Sequence, residues 1–206
     1  MMVNTWKTVR SRSVVTLICF TAALVYMETN CGFFGNWGPW RKPLFRGVSA
    51  NAIHDYYGTQ WEAKHEFCKC RVKFDGSAGF IATQSYNQYV ALQKMSKPGS
   101  APLLVTADAI DSQKKNGYLE DGIPVGYIAK TSFEGSVPLY HLFNASTGDH
   151  FYTVDTNERA NATTSWKYAD EGILGYVWPN GTDPNELAKA FVCSQPCATT
   201  DTRSSP

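Results

Sequence analysis

The stretch Asp149-His150-Phe151-Tyr152-Thr153-Val154-Asp155 sets an acid and an imidazole beside two aromatic rings. A carbohydrate site needs those groups: polar side chains to bond hydroxyls, and a ring to cover the sugar's apolar face. Asp149, His150 and Tyr152, with Tyr140 from the segment upstream, form the first candidate ligand-binding edge. His54 and Asp55, in His-Asp-Tyr-Tyr-Gly-Thr, form an analogous second one. If residues 150–154 are a strand, alternation sends His150 and Tyr152 to one face and Phe151 to the other. That leaves the first two open to solvent and Phe151 in the core. The competing reading is structural and the stronger of the two: Asp149 closes the turn after Gly148, and His150 satisfies a buried carbonyl.

Catalysis has less support. The chain has four histidines, at 54, 65, 141 and 150. No HExxH, GxSxG or phosphate-loop pattern occurs, and Asp149-His150 lacks a nucleophile at a recognisable spacing. None of the 18 acidic residues recurs in a way that marks a carboxylate pair. No catalytic residue is assigned, and an enzyme, as a secreted hydrolase, is the last of three readings. The Cys68-x-Cys70 and Cys193-x-x-x-Cys197 spacings do not match zinc sites, so neither a metal nor another cofactor is expected.

The elements that must position Asp149 and His150 recur along the chain. Sliding Val137–Asp155 back by 47 residues lays it without a gap on Val90–Asp108, with Leu139 on Leu92 and Asp155 on Asp108. Lys42-Pro-Leu-Phe upstream matches Val137-Pro-Leu-Tyr, and His-Asp-Tyr-Tyr then falls at the place of Asp-His-Phe-Tyr. Gly-aromatic-aliphatic ends recur at Gly79, Gly126 and Gly175. Three units follow, at about 42–84, 85–131 and 132–182. In the third, Val137–Phe143 is a strand entered by a proline, Asn144–Asp149 a turn, and His150–Val154 a second strand. Asp155 and Glu158 form a capping box that opens a short helix over Thr156–Thr164, and Ile173–Pro179 is a third strand.

One such unit cannot bury its own apolar face, but three about an axis can share a core. The expected fold is mainly β with short helices, a β-trefoil-like pseudo-threefold globule. A small propeller-like or barrel arrangement is the alternative. One repeat domain spans 31–197, and the polar tail 198–206 is expected to be disordered.

Lys7, Arg10 and Arg12 precede Val14–Tyr26, a run of 13 uncharged residues. As a helix the run reaches roughly 20 Å, short of a bilayer core of about 30 Å. Residues 1–27 therefore read as a signal peptide and the protein as secreted, with no stable membrane span. A signal anchor that keeps the domain on the lumenal or extracellular face is the second reading. Asn144, Asn161 and Asn180 head glycosylation sequons. In an oxidising compartment Cys31, Cys68, Cys70, Cys193 and Cys197 are disulfide candidates, and their odd number leaves one over.

The segments YHLFN, TGDHFYT and EGILGYV resemble a repeat family of unknown function. That family occurs in secreted fungal and bacterial proteins, often beside hydrolase or adhesion domains. The third unit fits the pattern most closely. The second keeps only the back half, with Pro102-Leu103-Leu104-Val105 in place of the Asp-His-Phe-Tyr. The resemblance implies an extracellular, lectin-like or adhesive module.

A net charge of +1, without a long block of one sign, gives no reason to expect a nucleic-acid partner. The sequence reads as a non-catalytic binding module for glycans or a glycosylated cell surface. An extracellular structural or protein-interaction module is the alternative.

Overall fold

A computed structural model of the chain describes residues 40–49, 55–59, 66–69, 71–179 and 181. The signal-like segment, His54, Asn180, the polar tail and every cysteine except Cys68 lie outside the described residues.

The protein is mainly β, with few and short helices. Strands β1 (Arg41–Ser49) and β2 (Asp55–Gly58) form a hairpin, and residues 66–68 are helical before β3 (Val72–Ala82). A second hairpin, β4 (Tyr89–Ser96) and β5 (Leu103–Thr106), leads through a 3-10 turn into helix α1 (Ile110–Lys115), then β6 (Leu119–Glu120) and β7 (Gly126–Ala129). A third, β8 (Val137–Asn144) and β9 (Asp149–Thr153), leads into helix α2 (Thr156–Thr164) and β10 (Ala169–Val177).

Among the described residues ten strands form one antiparallel sheet, with a main path β2-β1-β3-β7-β10-β8-β9 and β4 joining β7 to β5 and β6. This pairing does not close into a barrel, which corrects the barrel alternative. The closing strands touch only at single residue pairs, Ala82 with Tyr127 and Ala129 with Tyr176, too few to carry a continuous ladder round. An isolated bridge joins Phe80 to Trp178.

Helix α2 begins where the sequence places it, but its cap differs from a capping box. The Asp155 carboxylate accepts from the backbone N–H groups of Asn157 and Glu158. The Asp155 N–H is bonded instead by Thr153 Oγ1, at 3.0 Å. That frees Glu158 for a remote partner: Arg46 of β1 donates to both its oxygens, at 2.8 and 2.9 Å, and also pairs with Asp75 at 2.9 Å.

The central core takes matched residues from the three hairpins: Leu44, Leu92 and Leu139 from their first strands, and Tyr57, Leu104 and Tyr152 from their second. Ile81, Ile128 and Val177 join them from β3, β7 and β10. Fully burying a Leu or Ile contributes roughly 1.5–3 kcal/mol, so these aliphatic positions dominate the fold's stability. Glycines let the closing strands approach. A Cβ at Gly79 would lie 2.9 Å from the Trp178 carbonyl oxygen, one at Gly126 2.9 Å from that of Ala82, and one at Gly175 2.9 Å from that of Ala129.

Hairpin register refines the slide of 47. Lys94 faces Leu104, whereas His141 faces Tyr152. With Leu92 and Leu139 equivalent, the second strands are related by 48 residues, because the β8–β9 turn is one residue longer.

Candidate functional site

The turn Asn144–Gly148 sets the register of β8 and β9. Asn144 Oδ1 accepts from the Ser146 N–H at 3.0 Å, and the Asn144 carbonyl accepts from the Gly148 N–H at 2.8 Å. Asn144 is thereby paired with Asp149, Phe143 with His150, and His141 with Tyr152. Gly148 holds φ +69°, where a side chain is strained, and a Cβ there would crowd Ser100 Oγ at 3.1 Å.

Every residue of β9 is buried, with relative exposure from 0 % at Tyr152 to 6 % at Phe151. The expected exposure of His150 and Tyr152 is therefore not found. Alternation itself holds, but both faces are covered. Tyr152 points into the central core, while Phe151 packs with Tyr140, Leu142, Ala162 of α2 and Tyr168.

The polar groups of the strand have internal partners. Tyr168 donates its hydroxyl hydrogen to Asp149 Oδ2. His150 Nδ1 lies 3.0 Å from His141 Nε2, and His150 Nε2 lies 3.0 Å from the Tyr118 hydroxyl. The His150 ring stacks on Phe143, and the His141 ring lies flat on Tyr152 at 4.7 Å. The Tyr152 hydroxyl accepts from the Leu104 N–H at 2.8 Å and donates to the Leu104 carbonyl at 3.2 Å. Tyr140 is buried beneath Arg159, whose guanidinium sits 4.0 Å above the ring and pairs with Asp170.

These surroundings hold the side chains of His150, His141 and Tyr152 uncharged. Burial pushes His150 down to about 4, against the pull of Asp149. Burial, and then the neighbouring His150, push His141 down to about 3, against Asp170. Burial raises the Tyr152 phenol well above its ordinary range. At neutral pH both imidazoles are neutral, and the Tyr152 hydroxyl is a hydrogen-bonding strut.

The structure thus divides the candidates inside the molecule: His150 and Tyr152 lie on one face of the β8–β9 hairpin, and Asp149 and Tyr140 on the other, with Phe151. Asp55 lies in β2 opposite Val48. Sequence reasoning missed His141, Tyr118 and Ser100 as partners of the motif. His141 could have been found by counting back across the Asn144–Gly148 turn. Ser100, from the β4–β5 loop, and Tyr118, from between α1 and β6, come from elsewhere in the chain and leave no local mark. Among the described residues no group of three or more His, Cys, Asp and Glu side chains could hold a metal ion.

Of the sequons, Asn161 is exposed on α2. Asn144 is 8 % exposed, and its amide Nδ2 donates to the Trp166 carbonyl at 3.2 Å. Large apolar side chains are exposed elsewhere: Leu119 and Ile123 on the β6–β7 segment, Trp166 after α2, and Ile173 in β10. Among the described residues no helix is long and apolar enough to cross a membrane.

Fold and motif together define a mainly β domain of hairpins and short helices, whose Asp-His-Phe-Tyr strand is an internal element. The chain belongs to a family described as a domain of unknown function (DUF5648), whose model matches residues 41–178. The matched span runs from the start of β1 to the residue after β10. No curated protein and no solved structure matches the chain.

Proposed function

We propose that the protein is a secreted, non-catalytic binding module of three trefoil-like units. In this reading it holds carbohydrate or a glycosylated surface through its exposed loops, with Asp-His-Phe-Tyr-Thr as framework. The observation that carries the reading is the internal use of that strand. Asp149, His150 and Tyr152 are buried and bonded to Tyr168, to His141 and Tyr118, and to Leu104. A ligand edge is therefore sought where an aromatic face meets solvent. Trp166, 50 % exposed and tied through its carbonyl to the polar Asn144 turn, supplies one. Supporting the compartment, the Asn161 sequon lies on the surface.

A glycan-array screen of the chain secreted from eukaryotic cells tests this reading. Saturable binding that Trp166→Ala removes, while the fold persists, supports a lectin-like module. A blank array for the unmodified protein rules carbohydrate out. A protein partner is the second reading, favoured by Ile123, 84 % exposed at the tip of the β6–β7 segment near the exposed Leu119. It predicts a specific cross-linked partner that Ile123→Asp loses.

A further inference from the structure

The β8–β9 turn is sewn to the loop before β5 at one point. The Gly148 carbonyl accepts from the Ala101 N–H at 2.9 Å and from the Ser100 hydroxyl at 2.9 Å. From Ser100 a line of hydrogen bonds runs inward: Ser100 Oγ to the Tyr118 hydroxyl at 3.2 Å, Tyr118 to His150 Nε2, and His150 Nδ1 to His141 Nε2.

The proton order along that line follows from counting hydrogens. The Ser100 hydrogen is on the Gly148 carbonyl, which only accepts. Tyr118 must then donate to Ser100, having one hydrogen. His150 Nε2 must donate to Tyr118, so its Nδ1 holds a lone pair and accepts from His141 Nε2–H. Both neutral rings are thus the Nε2–H tautomer. One added proton can go to His141 Nδ1, the outer nitrogen of the pair, with every bond of the line intact. A second makes both of them donors, pointed at each other 3.0 Å apart.

We propose that this line is an acid-operated latch on the seam between Gly148 and Ala101: the closed seam accommodates at most one proton on the His141–His150 pair, the open seam accommodates two, and acidification therefore opens it. The charged neighbours do not abolish the effect. Asp149 and Asp170 favour protonation, but Asp149 is engaged by Tyr168 and Asp170 by Arg159. Lys97, 5.4 Å above the Tyr118 ring, opposes a second positive charge nearby, and Tyr152 beneath His141 stays neutral. The depressed basicity of both imidazoles agrees with a closed seam that carries no extra proton near neutrality. The device lies on one seam only: β1 presents Arg46, and β4 Lys94, at the hairpin position that His141 holds in β8.

Amide hydrogen exchange on the full, isotope-labelled chain tests the proposal, with rates corrected for the intrinsic effect of pH. The Ala101 amide reports the seam, and the Phe80 amide, which donates to the Trp178 carbonyl, reports a seam without histidine. Between pH 7 and pH 5, where the closed pair stays neutral, the opening constant at Ala101 is expected to rise by several hundred-fold, about 25-fold for each imidazole that takes up a proton on opening, while Phe80 changes far less. In His141→Gln only one group titrates, and the rise shrinks to about 25-fold or less. Histidine ring-nitrogen shifts of the unmodified chain give an independent reading, with both rings neutral and Nε2-protonated at pH 6. An Ala101 opening constant that ignores pH, that moves in step with Phe80, or that keeps its full pH dependence in His141→Gln overturns the latch. So does an Nδ1–H tautomer at His150 near neutrality.

Discussion

The Tyr57 hydroxyl brackets the peptide groups of Tyr152. It accepts from the Tyr152 N–H at 2.8 Å and donates to the Tyr152 carbonyl at 3.0 Å, across 95 residues of chain. The Tyr152 hydroxyl does the same to Leu104, 48 residues away. Two tyrosines thus satisfy buried backbone of β9 and β5, each of which pairs with a strand on one side only. Tyr57→Phe and Tyr152→Phe each strand a buried N–H and carbonyl. Each is expected to cost about 1–3 kcal/mol, read as a lower urea midpoint with an unchanged slope. A loss below about 0.5 kcal/mol for both would show that the brackets contribute nothing to stability.

The glycine approaches predict a second result. Alanine at Gly126 or Gly175 meets a backbone carbonyl oxygen at 2.9 Å and an isoleucine side chain closer still. Each substitution is expected to cost about 1–3 kcal/mol as strands part. Gly79→Ala costs more than either, because Gly79 also holds φ +99°. Gly122→Ala, at φ +80° with open space around it, isolates the backbone term. Thermal unfolding of the four variants ranks them, and a Gly122 variant as damaged as Gly126→Ala would refute the crowding.

Arg46 and Glu158 join β1 to α2 through a two-pronged ion pair. Burial is the largest single influence and works against both charges, but the hydrogen bonds and neighbouring charges together outweigh it, so Arg46 is raised and Glu158 lowered from ordinary values. Glu158→Gln leaves a buried guanidinium with Asp75 alone. The expected loss is about 1–3 kcal/mol, below the full cost of a wholly buried pair because Glu158 is partly exposed. Arg46→Met should lose less than Glu158→Gln, since it leaves no buried cation. Chemical denaturation at pH 7 decides the order.

Acid stability has a sign fixed by the same groups. His141 and His150 are held down to about 3 and about 4, below an ordinary value near 6.5. The unfolded chain therefore binds more protons than the folded one between those limits. Their contribution is full above about pH 6.5 and is lost as pH falls toward 4 and 3. The lowered Glu158 adds a loss that begins only below its unfolded value of 4.5. Urea midpoints from pH 8 to pH 4 are expected to hold level and then fall from about pH 6. A midpoint flat to pH 5 would contradict the buried neutral pair.

Much of this fold is legible in the sequence. Val137-Pro-Leu-Tyr-His-Leu-Phe-Asn forms β8, and Asp155 opens α2. Both rest on local chemistry: alternation, a turn closed by Asn144, and a cap. The state of the Asp-His-Phe-Tyr strand is not legible in the same way. Alternation assigns His150 and Phe151 to opposite faces but does not say that α2 and Tyr168 cover one of them. The Tyr57, Tyr152 and Tyr118 bonds join hairpins distant in sequence, so no spacing announces them. The one-residue shift between Val105 and Leu104 as the counterpart of Tyr152 came from turn length, visible only in the register.

The central claim, that Asp-His-Phe-Tyr-Thr is framework rather than ligand edge, is tested most directly by exchange of the Tyr152 amide at pH 7. Its N–H lies in the core, bonded to Tyr57. It is predicted to exchange only through global unfolding, with an opening free energy equal to that from urea denaturation. Exchange faster by a factor of about a thousand, roughly 4 kcal/mol below the global value, would contradict the account and return the strand to the surface as a site.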